Sequence, residues 1–450
     1  MVIPRMAGLR DTRQALLDGH FSATALTELA LSIAQAGQAT VNAFASIARD
    51  SALAAAVDSD RRFAAGTARP LEGLPIGVKD LIDTQGLETR YGSPAYRGHV
   101  PSANARVVQT LVEQGAIIIG KTTTHEFAWG VTTASREFGD TLNPLDTRRI
   151  PGGSSGGAAA AIASGAVAAG LGTDTGGSVR IPAAMCGVTG FKPTYGRFPS
   201  QGIFALAPSL DHPGLLGAGV SDVRVLAEAL GIASLDTAPA VTPRFGVIRQ
   251  VDPVPMSDGV AQAFEQAVHH VGQAFGCDRI DTRGLFDGAF QAFAQIVLTE
   301  GGVTHFSRHD WDFISRHYGA ETIERLDRAR SVVMSDYANA QAVRRQLGAK
   351  LERAMIGVDY VLLPTCPCSA PLAGQSSLAI GDWSGTVREA LMTYTAPFNL
   401  AGFPAISIPL PLRSIDSHLP ASLQIVARPG EDAGLLQIAM QLESLLAADC

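Results

Sequence analysis

The most apolar long run in the chain, Gly156 to Gly172, is almost all alanine and glycine. It is too weakly hydrophobic to span a bilayer and reads as a buried helix of small side chains that packs tightly against a sheet. On each side stands a serine wrapped in glycines: "PGGSSGG" (Pro151–Gly157) before it and "GTDTGGSVR" (Gly172–Arg180) after it. Glycine lets backbone amides come close to a ligand, and a run of exposed N–H groups makes an anion-binding concavity. The tract therefore demands a closely packed α/β scaffold that presents two loops.

The surrounding chain supplies one. "RVVQTLVEQG" (106–115) is an amphipathic helix stopped by Gly115, and the apolar "AIIIG" after it reads as a buried strand. Helix followed by apolar strand is an α/β signature. Further strands are expected in "LPIGVKDLI" (74–82), "RFGVIRQ" (244–250), "DYVLLPT" (359–365), "PAISIPL" (404–410) and "ASLQIVA" (421–427), with a closing helix in "AGLLQIAMQLESLLAA". Residues 9–66 read as helices, with Ser22 as an N-cap. No repeat or linker divides the 450 residues. The expectation is one α/β domain over 1–450 with a helical elaboration: N-terminal helices (1–66), a core (67–235), a helical cap (258–350) and a C-terminal part of the core (355–450).

Composition narrows the function classes. Charged residues are only 17% and the net charge is -7, with no lysine or arginine run. This speaks against nucleic acid or an anionic membrane as partner. The five cysteines form no disulfide framework, and "MVIPRMAGLR" lacks the apolar core of a signal peptide. A cytoplasmic protein is expected. A homodimer is left open.

The chemistry rests on the serines. A lone hydroxyl is a poor nucleophile and needs a base. No histidine lies in the glycine-rich segments, but a buried lysine serves once its neutral form is populated. Lys79 in "GLPIGVKD" is the candidate. "TDTGGS" looks like an oxyanion hole with a serine at its rim. Three other motifs are weaker. "GAIIIGKT" (115–122) matches a P-loop pattern, but Ala-Ile-Ile-Ile wants to be a strand rather than a phosphate cradle. "GGSSG" matches the nucleophile elbow of an esterase of the α/β-hydrolase type, but "DTRRIP" before it is no strand, and the one late histidine is His418. "HFSRH" (305–309) with His317 fits no zinc spacing and reads as surface histidines. No metal or cofactor is implied.

Together "LPIGVKD", "GAIIIGKTTTHEFAWG", "NPLDTRRIPGGSSGGAAAA", "GLGTDTGGSVRIPAAMCGVTGFKPTYGR" and "TAPFNLAGFPAISIP" resemble the amidase signature family, in family order. The resemblance implies a large mixed sheet flanked by helices and hydrolysis of C–N bonds by a Ser–cisSer–Lys triad. It assigns Ser178 as nucleophile, Ser154 as bridging serine on a cis peptide, and Lys79 as base. Thr175, Gly176, Gly177 and Ser178 would form the oxyanion hole. Ser155 would support Lys79 or Ser154, and Asp174 with Arg180 would hold the loop as an ion pair.

For the substrate, Trp129, Gly130 and Val131 are expected to line a pocket after a "HEFA" strand. Cap aromatics Phe306, Trp311, Phe313 and Tyr318 would join them, or else pack the cap's own core. No arginine stands out as a carboxylate clamp, with Arg97, Arg136 and Arg308 left open. An aromatic, weakly charged wall suits neutral, largely apolar amides, and carbamates by a urethanase activity. The rival within the family is the glutamine-hydrolysing subunit of a tRNA-dependent amidotransferase, which "GFKPTYGR" resembles.

Overall fold

The computed structural model describes residues 8–233, 242–413 and 419–448. A mixed sheet of eleven strands runs through it. In spatial order these are Phe44–Ile47, Ile117–Thr122, Pro75–Lys79, Ala169–Asp174, His212–Gly217, Thr189–Lys192, Ala405–Arg413, Pro420–Val426, Tyr360–Pro364, Phe245–Val247 and Cys277–Arg279. Alternation along each strand feeds two apolar clusters, one on each face. Leu362 joins one cluster, while its neighbours Val361 and Leu363 join the other. Among the described residues, no helix is long and apolar enough to cross a membrane.

The helix of small residues is shorter than the sequence pattern suggests. It covers Gly156–Ala163 and ends at Gly165, whose φ of 77° is left-handed. The rest of the apolar run turns into the strand Ala169–Asp174. Alanine and glycine carry too little side chain to mark that switch of period. Its small side chains do let the helix close on the sheet: a Cβ on Gly157 would collide with Thr123.

Two further expectations change. The strand Phe44–Ile47 interrupts the N-terminal helices, which are Leu9–Leu17, Ala23–Gly37 and Arg49–Ala64. Ser22 does cap the second of them, accepting from the Ala25 amide at 3.0 Å. In the expected cap, Asp258–Phe275 instead packs on the sheet strands, and Cys277–Arg279 extends the sheet. The remaining helices of this part are Ala289–Phe306, Trp311–His317, Ala320–Ala329 and Met334–Ala354.

Candidate active site

Pro75–Lys79 and Ala169–Asp174 are neighbouring parallel strands that finish together. In open α/β sheets the crevice beyond such carboxyl ends is where ligands bind. Lys79 is the last residue of the first strand, and its Nζ lies 2.8 Å from Ser154 Oγ and 2.7 Å from Thr173 Oγ1. Lys79 and Ser154 are fully buried, and Ser178 is 4% exposed. Burial disfavours the ammonium and lowers the lysine to about 7, against the weaker upward pull of Asp174 and Asp211. The Gly153–Ser154 peptide is cis.

Thr173 is a partner of Lys79 that no sequence pattern points to. Ser155 is placed differently from its expected role. Its hydroxyl donates to the Thr173 carbonyl at 3.1 Å and accepts from the Thr173 amide at 3.3 Å, and it bonds neither to Lys79 nor to Ser154. The Ser155 amide donates to the Ser178 carbonyl at 3.1 Å, which ties the two serine loops together.

Asp174 and Arg180 form a fully buried ion pair, with Arg180 Nη2 2.9 Å from Asp174 Oδ1. Burial alone would raise the Asp174 carboxyl. The charge and hydrogen bonds of Arg180, with Lys192 and Asn399, outweigh it and hold the group well below the usual carboxylate range. Arg180 also donates to Gln424, Asn399 and the Thr395 carbonyl, so every face of this cation is engaged by the protein. Asp174 accepts from the Gly177 amide at 2.7 Å, which removes that N–H from the expected oxyanion set. Gly177 takes a φ of 127°, and a Cβ there would strike Thr395. Among the described residues, the amides of Thr175, Gly176 and Ser178 donate to no protein group.

A narrow cavity of roughly 10 Å³ opens on Ser178. Trp129, Gly130 and Val131 line it, with Thr175, Gly176, Leu206, Phe293, Val297, Met392 and Arg388. The four cap aromatics do not. Tyr318 packs with Phe127 and His305, Phe313 stacks between His309 and His317, Arg330 lies over the Trp311 ring, and Phe306 is exposed. The residues before Trp129 form a 3-10 turn, Glu126–Ala128, rather than a strand. The open arginines are engaged elsewhere: Arg97 with Glu137, Arg136 with the Tyr318 carbonyl, and Arg308 with the Thr304 carbonyl and the Phe204 ring. The expectation of a wall without arginine fails at Arg388. "TVREA" reads as an ordinary polar helix start, so nothing in the sequence marks this residue.

The weaker motifs resolve by geometry. Lys121 of "GKT" lies within the strand Ile117–Thr122 and donates to the Ile82 carbonyl and to Thr84 and Thr89. Turns and isolated bridges, not a strand, precede "GGSSG", which removes the esterase elbow. His305 is buried, not on the surface, with Nδ1 3.1 Å from the Tyr318 hydroxyl. Burial and nearby Arg308 lower it to about 3. No histidine among the described residues bonds to Lys79, Ser154 or Ser178. His418 lies outside the described residues.

The Amidase family model matches residues 25–436. The chain belongs to the amidase signature family of C–N hydrolases. It is 34% identical to one subunit of the glutamyl-tRNA(Gln) amidotransferase of Chloroflexus aurantiacus, over 94% of this chain and 93% of the relative. A crystal structure of an amidase superposes with a TM-score of 0.91 at 34% identity, covering 98% of this chain and all of that one. The corresponding glutamyl-tRNA(Gln) amidotransferase subunit of Thermotoga maritima superposes at 0.75 with 28% identity, covering 94% and 91%.

Proposed function

We propose that this protein hydrolyses the C–N bond of a small amide through an acyl-enzyme on Ser178. One observation carries the reading: a fully buried lysine, lowered to about 7, lies 2.8 Å from the Ser154 hydroxyl. Neutral Lys79 takes the proton of Ser154, which takes that of Ser178, and Ser178 Oγ bonds to the amide carbon. The carbonyl oxygen gains negative charge facing the free amides of Thr175, Gly176 and Ser178. The relay then returns a proton to the nitrogen as the C–N bond breaks, and water hydrolyses the ester. Asp174 and Arg180 act as positioning residues that hold the loop, and Trp129, Gly130 and Val131 form part of the substrate wall. The same attack would cleave a carbamate.

The test is labelling by a fluorophosphonate, followed by turnover of a simple aryl amide. Wild type is expected to label stoichiometrically at Ser178. Ser178→Ala is expected to lose both labelling and turnover. Full labelling of Ser178→Ala would move the nucleophile elsewhere.

A second reading is the glutamine-hydrolysing subunit of a tRNA-dependent amidotransferase. The 34% identity over nearly the whole length of that subunit favours it, and it has more support among the relatives than a preference for neutral, apolar amides. The closer superposition on an amidase than on the Thermotoga subunit favours the amidase reading. Release of ammonia from glutamine by the isolated chain, compared with release from an aryl amide, separates the two.

A further inference from the structure

Arg388 stands at the start of the helix Val387–Thr393 and lines the narrow cavity on Ser178. It also lines an adjoining pocket of about 570 Å³, and Val131 is common to both. Among the described residues, no hydrogen bond or ion pair reaches its guanidinium. Three physical terms oppose a cation there. Burial lowers its pKa to about 10, and the charges of Arg325 and Arg328 add to the fall while Glu321 only partly offsets it. A positive charge in the first turn of a helix also opposes the helix dipole. Glu321, the acid that offsets them, is already held by Arg325 and by His125.

Arg180, by contrast, has every N–H direction filled by protein oxygens. A buried guanidinium with all partners supplied is structural. The half-buried one left open on the nucleophile's cavity is matched by a planar anion, since its fork pairs with a carboxylate in two parallel hydrogen bonds. The narrow cavity's lining has no acidic side chain, so an ammonium placed there would find no counter-charge, whereas the adjoining pocket carries Asp140, Glu321 and Glu324.

We propose that Arg388 binds a carboxylate of the substrate, and that the preferred substrates are net-anionic amides, such as the monoamides of short dicarboxylic acids, rather than neutral amides or the zwitterion glutamine. This deepens the hydrolase reading above and rests on it for its catalytic step.

The experiment measures kcat/KM for succinamate, butyramide and glutamine, and separately the binding of succinate by calorimetry. Wild type is expected to prefer succinamate over butyramide by roughly 10- to 100-fold, the range of a charge-assisted hydrogen bond, and to turn over glutamine less well than succinamate. In Arg388→Gln the succinamate-to-butyramide ratio falls towards one, mainly through KM, and Arg388→Lys recovers part of it. Succinate binding weakens in parallel. A ratio near one in wild type, an unchanged ratio in Arg388→Gln, or glutamine as the best substrate would each overturn the proposal. If no amide turns over and Ser178 does not label, the hydrolase reading is what has failed. The succinate arm still decides the role of Arg388: binding lost in Arg388→Gln and partly kept in Arg388→Lys upholds it, and binding equal to wild type in both rejects it. A melting curve on each variant identifies misfolding, in which case Arg388→Lys and the wild-type ratios decide.

Discussion

Lys79 ends one strand, Lys121 stands one residue before the end of its parallel neighbour, and both are fully buried. Both have ammonium groups disfavoured by burial, so a desolvated amine is not what distinguishes them. The register pairs Lys121 with Val78 rather than with Lys79, so the pleat sends the two side chains to opposite faces. Lys79 meets only hydroxyls, from Ser154 and Thr173, and a hydroxyl can hand a proton to an amine. Lys121 meets the Ile82 carbonyl, which only accepts, and two threonines; carboxylates draw both lysines towards charge, Asp80 and Asp83 here and Asp174 and Asp211 at Lys79. One lysine is set up to receive a proton and the other to keep its own. Burial makes a lysine available as a base, and the partner oxygens decide whether it is one.

The strongest way to break that contrast is substitution at both places. Lys79→Ala is expected to lose roughly 10²–10⁴ in kcat, the worth of a positioned general base. Lys121→Met is expected to stay within about tenfold, a margin well below that loss. Equal losses at equal melting temperature would erase the distinction. Next comes the pH profile. The neutral form of Lys79 is the active one, so kcat/KM should fall as pH drops through about 7, approaching tenfold per pH unit on the acid side. The same midpoint in Lys121→Met would tie the limb to Lys79, and a displaced midpoint would tie it to the other strand.

Stability should answer in the opposite sense. Lys121→Met leaves the buried Ile82 carbonyl without this donor, at a cost on the order of 1–3 kcal/mol in urea unfolding. The smallest effect is expected at Thr173. Its hydroxyl accepts from the lysine and so favours the charged form. Thr173→Val should lower the Lys79 pKa and move the acid limb to lower pH, by roughly one unit or less for one neutral hydrogen bond. A shift to higher pH would mean that Thr173 donates instead.

Much of this site can be read in the chain because glycine and serine spacing is itself geometric information. "TGGS" and "GGSSGG" mark where backbone must come close, and the family resemblance brings Lys79 to them. What stays hidden depends on contacts between distant segments. Thr173 looks like any strand threonine until the pairing of Ile76 with Ala169 brings its strand beside Lys79. Arg388 lies more than 200 residues from Ser178 and reaches the same cavity only through the packing of Val387–Thr393 beside Ala289–Phe306. The strand Ala169–Asp174 is invisible in the sequence because alanine and glycine show no period, and His212–Gly217 because proline and glycines interrupt it. Ser155 departs from its expected role for a simpler reason: adjacency to Ser154 says nothing about which way a hydroxyl points.

The crowding around the glycines divides the molecule by how freely it can drift. A Cβ on Gly153 or Gly156 would run into Thr133, and one on Gly157 into Thr123, so the floor of the site admits no larger residue without moving backbone. The opposite wall is drawn from Phe293, Val297, Arg388 and Met392, on helices whose side chains can be exchanged one at a time. Changes in what the site accepts are therefore expected at such wall positions rather than at the glycines, whose replacement would move backbone. A substitution on the recognition wall can then change the substrate while the glycine-serine core keeps its geometry.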